Sequence, residues 1–199
     1  MGLGSGAMSA LARPHHPGAG SVEAFLAWER EQAGRHEYVG GEVFAMVGAS
    51  LAHEEIAGNL CAALRAALLP RGCKVYQSNV KVPVASDYFY PDVVVRCGAR
   101  DLRADTVGEP VLLAEVLSPS TQRYDQGAKW TYYQRLPSLR CFLLVDQARV
   151  LVHVYQRGGA GWSYASFVEL DAVIEVEAPR VQLRLADVYA GVDELVAGL

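Results

Sequence analysis

The sequence predicts an α/β or α+β protein: one central mixed sheet covered by helices. Three observations carry that expectation. Two almost uninterrupted apolar runs, FYPDVVVR (89–96) and VLLAEVL (111–117), have the character of strands buried on both faces. Segments with apolar residues at helical spacing stand before and after them. Short β-type runs punctuated by Gly fill the C-terminal third.

Totals set the frame. A chain of 199 residues, half apolar and a fifth charged, reads as one domain over 21–199. The Gly-, Ala- and Pro-rich residues 1–20 read as a flexible tail. No apolar run approaches the roughly 20 residues that span a bilayer. The first residues lack the apolar stretch of a signal peptide, so a cytoplasmic location is expected. Cys61, Cys73, Cys97 and Cys141 stand apart with no Cys-x-x-Cys pair, and buried free thiols are the expectation. A formal net charge of −4 excludes a general basic nucleic-acid coat. It leaves room for an acidic metal cluster beside a local basic face.

The elements follow in order. Ser21 caps a helix over VEAFLAWEREQ, with Glu23 near the positive end of its dipole. HEYVGGEVFAMVG reads as a hairpin, since Gly40 and Gly41 supply the positive φ of a tight turn. Glu37 stands on its first strand and is expected at the surface unless the hairpin folds over a site. Ser50 caps a second helix, whose stripe is Leu51, Ile56, Leu60, Leu64 and Leu68; Pro70 and Gly72 stop it. CKVYQSNVKVPVAS gives one or two strands, and FYPDVVVR and VLLAEVL the next two. CGARDLRADTVGEP is a surface loop. A helix is expected from about Asp125 to Leu136. CFLLVD, VLVHVYQ and WSYASFVEL are strands, and a short strand near 181–185 precedes a terminal helix.

Two carboxylates stand out. Asp92 opens one apolar run and Glu115 lies inside another, where an ionised group is costly unless its charge is balanced. Twenty-three residues separate them, so only strand pairing can bring them together. Magnesium needs oxygen ligands but only one or two carboxylates, because water and phosphate oxygens complete its octahedron. The backbone carbonyl of Val116 offers a third oxygen. Such an ion activates water and stabilises charge on a phosphodiester. Lys129, near the start of the following helix, is the best nearby cation; Lys81 and Arg123 are weaker candidates. Gln77, Gln122 and Gln126 could position water. Plainer readings stand beside these. Asp92 after Pro91 could be a turn residue, Glu115 half of a structural ion pair, Lys129 a solvated helix lysine, and His53 a helix-terminal group. His36 and His153 are assigned to packing or solvent, and Trp28, Trp130, Tyr132 and Tyr133 to core or interface. No phosphate-binding Gly loop, dinucleotide fingerprint or nucleophile elbow is present.

The order PDVVV, AEVLSPST, YDQGAKWTYYQRLPSL and FLLVD resembles the Uma-type family of restriction-endonuclease-like proteins, within the PD-(D/E)XK nuclease superfamily. Upstream, HEYVGGEVFAMVGASLAHEEIAGNL resembles the family's first half, and the likeness runs from about Ser21 to Tyr155. It implies a restriction-endonuclease-like fold, a mixed central sheet flanked by helices. It also implies Asp92 and Glu115 as ligands of Mg2+ or Mn2+ and Lys129 as the catalytic cation. Leu117 occupies the position where the superfamily motif carries lysine, so the resemblance moves that charge to Lys129. Glu37 resembles the extra acidic residue that many such nucleases bring to the metal, with His53 nearby.

The resulting expectation is a magnesium- or manganese-dependent DNA endonuclease, acting as a homodimer because two strands must be cut. Its rival is a nucleic-acid-binding or regulatory module that keeps the fold with little catalysis. A weaker third reading is a hydrolase of small phosphate esters.

Overall fold

Pro91 divides the run that reads as one strand in the sequence. In the computed structural model, which describes residues 21–46, 48–99, 101–118, 127 and 129–192, Phe89 ends one strand and Val93 begins another in a different sheet. Proline lacks a ladder donor, so a break there costs no hydrogen bond.

The first helix, α1, spans Val22–Glu29, and the Ser21 hydroxyl accepts from the Ala24 N–H at 3.2 Å. Strands β1 (His36–Val39) and β2 (Glu42–Ala45) form the expected hairpin around Gly40 and Gly41, at φ 60° and 88°. Helix α2 (Leu51–Leu68) is followed by β3 (Cys73–Gln77), β4 (Val82–Val84), β5 (Asp87–Phe89), β6 (Val93–Cys97) and β7 (Leu112–Leu117). Next come α3 (Trp130–Tyr133), β8 (Cys141–Asp146), β9 (Val152–Gly158), β10 (Gly161–Phe167), β11 (Val173–Val176), β12 (Val181–Arg184) and α4 (Leu185–Val188).

These build three layers. The central sheet has the order β10-β9-β8-β7-β6-β3, and only the β7–β8 pair within it is parallel. One face is covered by α2, by the β11–β12 hairpin and by α4. Ile56, Leu60, Leu64 and Leu68 pack there against Val75, Val93, Val95, Leu112 and Ala114. Each such side chain contributes about 1.5–3 kcal/mol by leaving water. The other face carries α3 and a small sheet of order β2-β1-β5-β4, with Phe89, Val94, Leu113, Tyr133 and Phe142 between them. Helix α1 closes the small sheet through Phe25, Tyr38 and Val43.

Several expectations need correction. Leu51 is 87% exposed, so the stripe of α2 engages the sheet only from Ile56 onward. Strands β5 and β11 were not expected; β5 is three residues long and β11 alternates exposed and buried positions with charged Glu175 inside it. Cys73 and Cys97 are not free thiols: they are cross-strand partners in the β3–β6 register and form a disulfide. Cys61 and Cys141 are free and buried, as expected. Glu37 is buried, because the β1–β2 hairpin does fold over the central sheet. The helix expected from Asp125 is seen as α3, with Gly127 and Lys129 in a wider π-type turn ahead of it. Residues 119–126 and 128 lie outside the described residues, as do the tail and 193–199 of the expected terminal helix.

Candidate metal and phosphodiester site

Alternation along β7 sends Leu112, Ala114 and Val116 toward α2, and Leu113 and Leu117 toward α3. Glu115 shares the second parity. Its Oε1 accepts the Tyr133 hydroxyl at 2.7 Å and the Lys129 ammonium at 3.2 Å. Lys129 and Tyr133 stand four residues apart, which puts both on one face of a helical segment. The π-type turn at Lys129 is a local widening of the kind that often re-aims a side chain at functional sites.

Lys129 has a second carboxylate. Its Nζ lies 3.0 Å from Oε1 of Glu37, delivered by β1 of the small sheet. The same Glu37 oxygen accepts the Tyr90 backbone N–H at 3.0 Å. The lysine therefore clamps the small sheet to the central one.

Asp92 comes from the strand beside β7. Val93 pairs with Ala114 in the antiparallel β6–β7 ladder, and one further step along that register sets Asp92 opposite Glu115. The Asp92 Oδ2 accepts the Val116 N–H at 2.7 Å, so the side chain serves as the next acceptor beyond the ladder. Its Oδ1 lies 3.0 Å from Nε2 of His53, in the first turn of α2. The Asp92 carbonyl accepts the Ser78 N–H at 2.9 Å, which fixes the backbone.

None of the four is more than 7% exposed: Glu37 5%, Asp92 7%, Glu115 3% and Lys129 6%. Among the described residues, three carboxylates against one ammonium give a formal −2 when His53 is neutral. Charges so buried interact strongly and are poorly screened, so an excess of one sign is costly without a counter-ion. Burial and then the Glu115 carboxylate push the Tyr133 phenol well above its usual range, against the opposing pull of Lys129. Tyr133 thus stays a protonated donor to Glu115.

The donor set fits a small hard cation. Among the described residues, no three His, Cys, Asp or Glu side chains form a cage for an ion. Magnesium and its analogues do not need one: two carboxylates suffice when waters or phosphate oxygens complete the shell. Asp92 and Glu115, on facing register positions with a surplus of negative charge around them, could hold such an ion.

Other candidates fall elsewhere. Lys81 does not join this cluster; its Nζ sits 2.9 Å from Glu29 and 3.0 Å from Asp105. Gln77 ends β3 opposite Val93, half-buried. Gln122, Arg123 and Gln126 lie outside the described residues. The sequence assigns Tyr133 to core or interface and no role to its hydroxyl, although its spacing from Lys129 is a signal. The Tyr90 N–H donor had no sequence signal, since any residue but proline supplies one.

Comparison with known proteins agrees with this architecture. The Uma2 family, described as "Putative restriction endonuclease", matches residues 22–186. An uncharacterized protein of Synechocystis sp. is 32% identical over 183 residues, covering 90% of this chain and 92% of that relative. A second uncharacterized Synechocystis protein is 31% identical over 157 residues, covering 76% and 89%. A crystal structure described as a "putative nuclease belonging to DUF820" from Anabaena variabilis superposes with a TM-score of 0.73. That likeness, at 17% identity over 85% of this chain and 97% of the other, establishes the shared fold. The chain belongs to the Uma2 family of restriction-endonuclease-like proteins.

Proposed function

We propose that the protein is a magnesium- or manganese-dependent endonuclease that hydrolyses DNA phosphodiester bonds by direct attack of water. The observation that carries this reading is the pair of buried carboxylates at the facing ends of β6 and β7, with the Lys129 ammonium beside Glu115 and with more carboxylates than cations among the described residues there. A phosphodiester is itself an anion, and a site of formal −2 repels it until a cation is bound.

Asp92 and Glu115 would hold the ion, with the Val116 carbonyl as a further oxygen. When bound, the ion supplies Lewis-acid activation of water and of a phosphate oxygen. His53 steadies one oxygen of Asp92, and the Val116 N–H the other. Tyr133 orients Glu115. Lys129 would donate to charge that builds on the phosphate oxygens, in the role the motif lysine has elsewhere. Glu37 holds that ammonium from the far side. Cutting both strands of a duplex calls for two copies of the site, which favours a homodimer.

The test is cleavage of supercoiled plasmid and of single-stranded DNA with millimolar magnesium or manganese. The wild type cuts, while Asp92→Ala and Glu115→Ala fall to the level of a chelator control. Equal cutting by all three removes the proposal. The Leu117 side chain at the motif position favours the second reading, a binding module on the same fold. Calorimetry separates the two, because that module binds DNA without taking up manganese at positions 92 and 115.

A further inference from the structure

We propose that β10 is a self-pairing edge, and that two copies of this chain join their central sheets through it across a two-fold axis. The edges of this protein differ in how they are protected. Strand β3, at the opposite end of the same sheet, carries Lys74 and packs beside α2. In the small sheet, β4 has three residues with Pro83 at its centre, and β2 has four residues and begins at Glu42. Short length, charge and proline are the usual ways an edge is kept from pairing with another chain. Strand β10 has none of them. It runs for seven residues, GWSYASF, with no charge and no proline, in unbroken register with β9. Most of it is exposed, and Tyr164 is 57% exposed.

Its free backbone groups can be named. The β9–β10 turn is closed by the Gly158–Gly161 pair, which in a two-residue hairpin is hydrogen-bonded. Alternation then turns the N–H and C=O of Ser163, Ala165 and Phe167 toward β9. Those of Trp162, Tyr164 and Ser166 face away from the sheet. Three successive outward positions with Tyr164 at their centre suit an antiparallel partner of identical sequence: Tyr164 meets its own copy, and Trp162 meets Ser166. An uncharged strand meets itself without like-charge repulsion. A second copy is therefore the occupant the strand fits best.

Pairing of this kind keeps side-chain parity, so the face that bears Glu115 and Lys129 lies on the same side in both copies. From β7 to its mate the continuous sheet spans seven interstrand steps, about 34 Å at about 4.8 Å each. If the proposed nuclease reading holds, one face of the dimer presents both sites to one duplex. The dimer itself does not depend on that reading.

The experiment is sedimentation velocity with light scattering on the full chain. Wild type gives about twice the 21.5 kDa chain mass. Tyr164→Lys and Tyr164→Glu each weaken association at least tenfold by placing like charges opposite one another. Mixing those two variants restores the dimer. Ser166→Pro removes an outward N–H without touching the β9 ladder and also yields a folded monomer by circular dichroism. A monomeric wild type at 100 µM, or a dimer that survives both Tyr164→Lys and Ser166→Pro, overturns the proposal. Plasmid cleavage by the same samples reports separately on the nuclease reading.

Discussion

Two lysine-centred clusters of the same design lie side by side, and among the described residues they differ in charge. In one, Lys129 bridges Glu37 and Glu115 at 3.0 and 3.2 Å. In the other, Lys81 bridges Glu29 and Asp105 at 2.9 and 3.0 Å. Tyr90 touches both, giving its hydroxyl to Glu29 at 2.6 Å and its backbone N–H to Glu37. The Lys81 cluster is balanced, because Arg30 joins Asp105 and brings the count to two cations and two carboxylates. It ties α1 and the loop at Asp105 to the short strand β4. The Lys129 cluster has Asp92 beside it, and among the described residues its carboxylates outnumber its cations. A balanced set of charges holds a fold together, while an excess of carboxylates at the ends of two strands is what the proposed cation site requires.

At Lys81 the partners outweigh burial. Desolvation pulls the Lys81 ammonium down, but the hydrogen bonds it donates to Glu29 and Asp105 outweigh it and hold its pKa above the ordinary 10.5. Asp105 is held below its ordinary value by the Lys81 hydrogen bond, against the opposing effect of burial.

The sharpest way to break the comparison is to remove each lysine in turn. Lys129→Met lowers kcat by about 10²–10³, the usual cost of losing a preorganised donor to developing charge. Single-turnover cleavage at saturating manganese measures this, and a kcat within threefold of wild type means Lys129 has no part in the chemistry. Lys81→Met is expected to do the reverse. It destabilises the protein by about 3–5 kcal/mol, since it strands a buried carboxylate, and leaves kcat per folded molecule unchanged. Urea unfolding reads the first effect. The same variant sharpens the pH argument. A raised lysine pKa means that the folded state binds the proton more tightly than the unfolded one. That stabilisation is complete below pH 10.5 and disappears as pH climbs above it. Wild type should lose Tm over that window faster than Lys81→Met, and parallel curves would detach the clasp from Lys81. The smallest effect belongs to Tyr133→Phe. Glu115 loses a buried donor but keeps Lys129, so stability falls by about 1–3 kcal/mol, and cleavage falls less than tenfold with a weaker apparent manganese affinity.

Much of this was legible along the chain, because local rules govern it. The Gly40-Gly41 turn, the Ser21 and Ser50 caps and the buried runs at β6 and β7 each depend on neighbours a few residues away. Glu115 was conspicuous for the same reason, as one charge among Leu112, Leu113, Ala114, Val116 and Leu117. Asp92 was legible as a residue, though the strand break at Pro91 was not, since proline is compatible with an edge strand as well as with a break. The Cys73–Cys97 bond was missed because twenty-four residues separate its ends, and only the β3–β6 register joins them.

The sequence by itself determined most of the strands and helices, β5 and β11 excepted, and it marked Asp92, Glu115 and Lys129 as costly or well-placed charges. Tertiary structure alone decided which charges meet. In the sequence Glu37 looks like a surface residue and Lys81 like a weaker candidate for the site's cation, until the small sheet and α1 close over the central one. Then Glu37 turns inward to Lys129, and Lys81 is drawn to Glu29 and Asp105 instead of the site. The reason is physical: helix and strand patterns are set by periodicity over a few residues, whereas a buried charge chooses its partner from whatever the packed layers bring within about 3 Å.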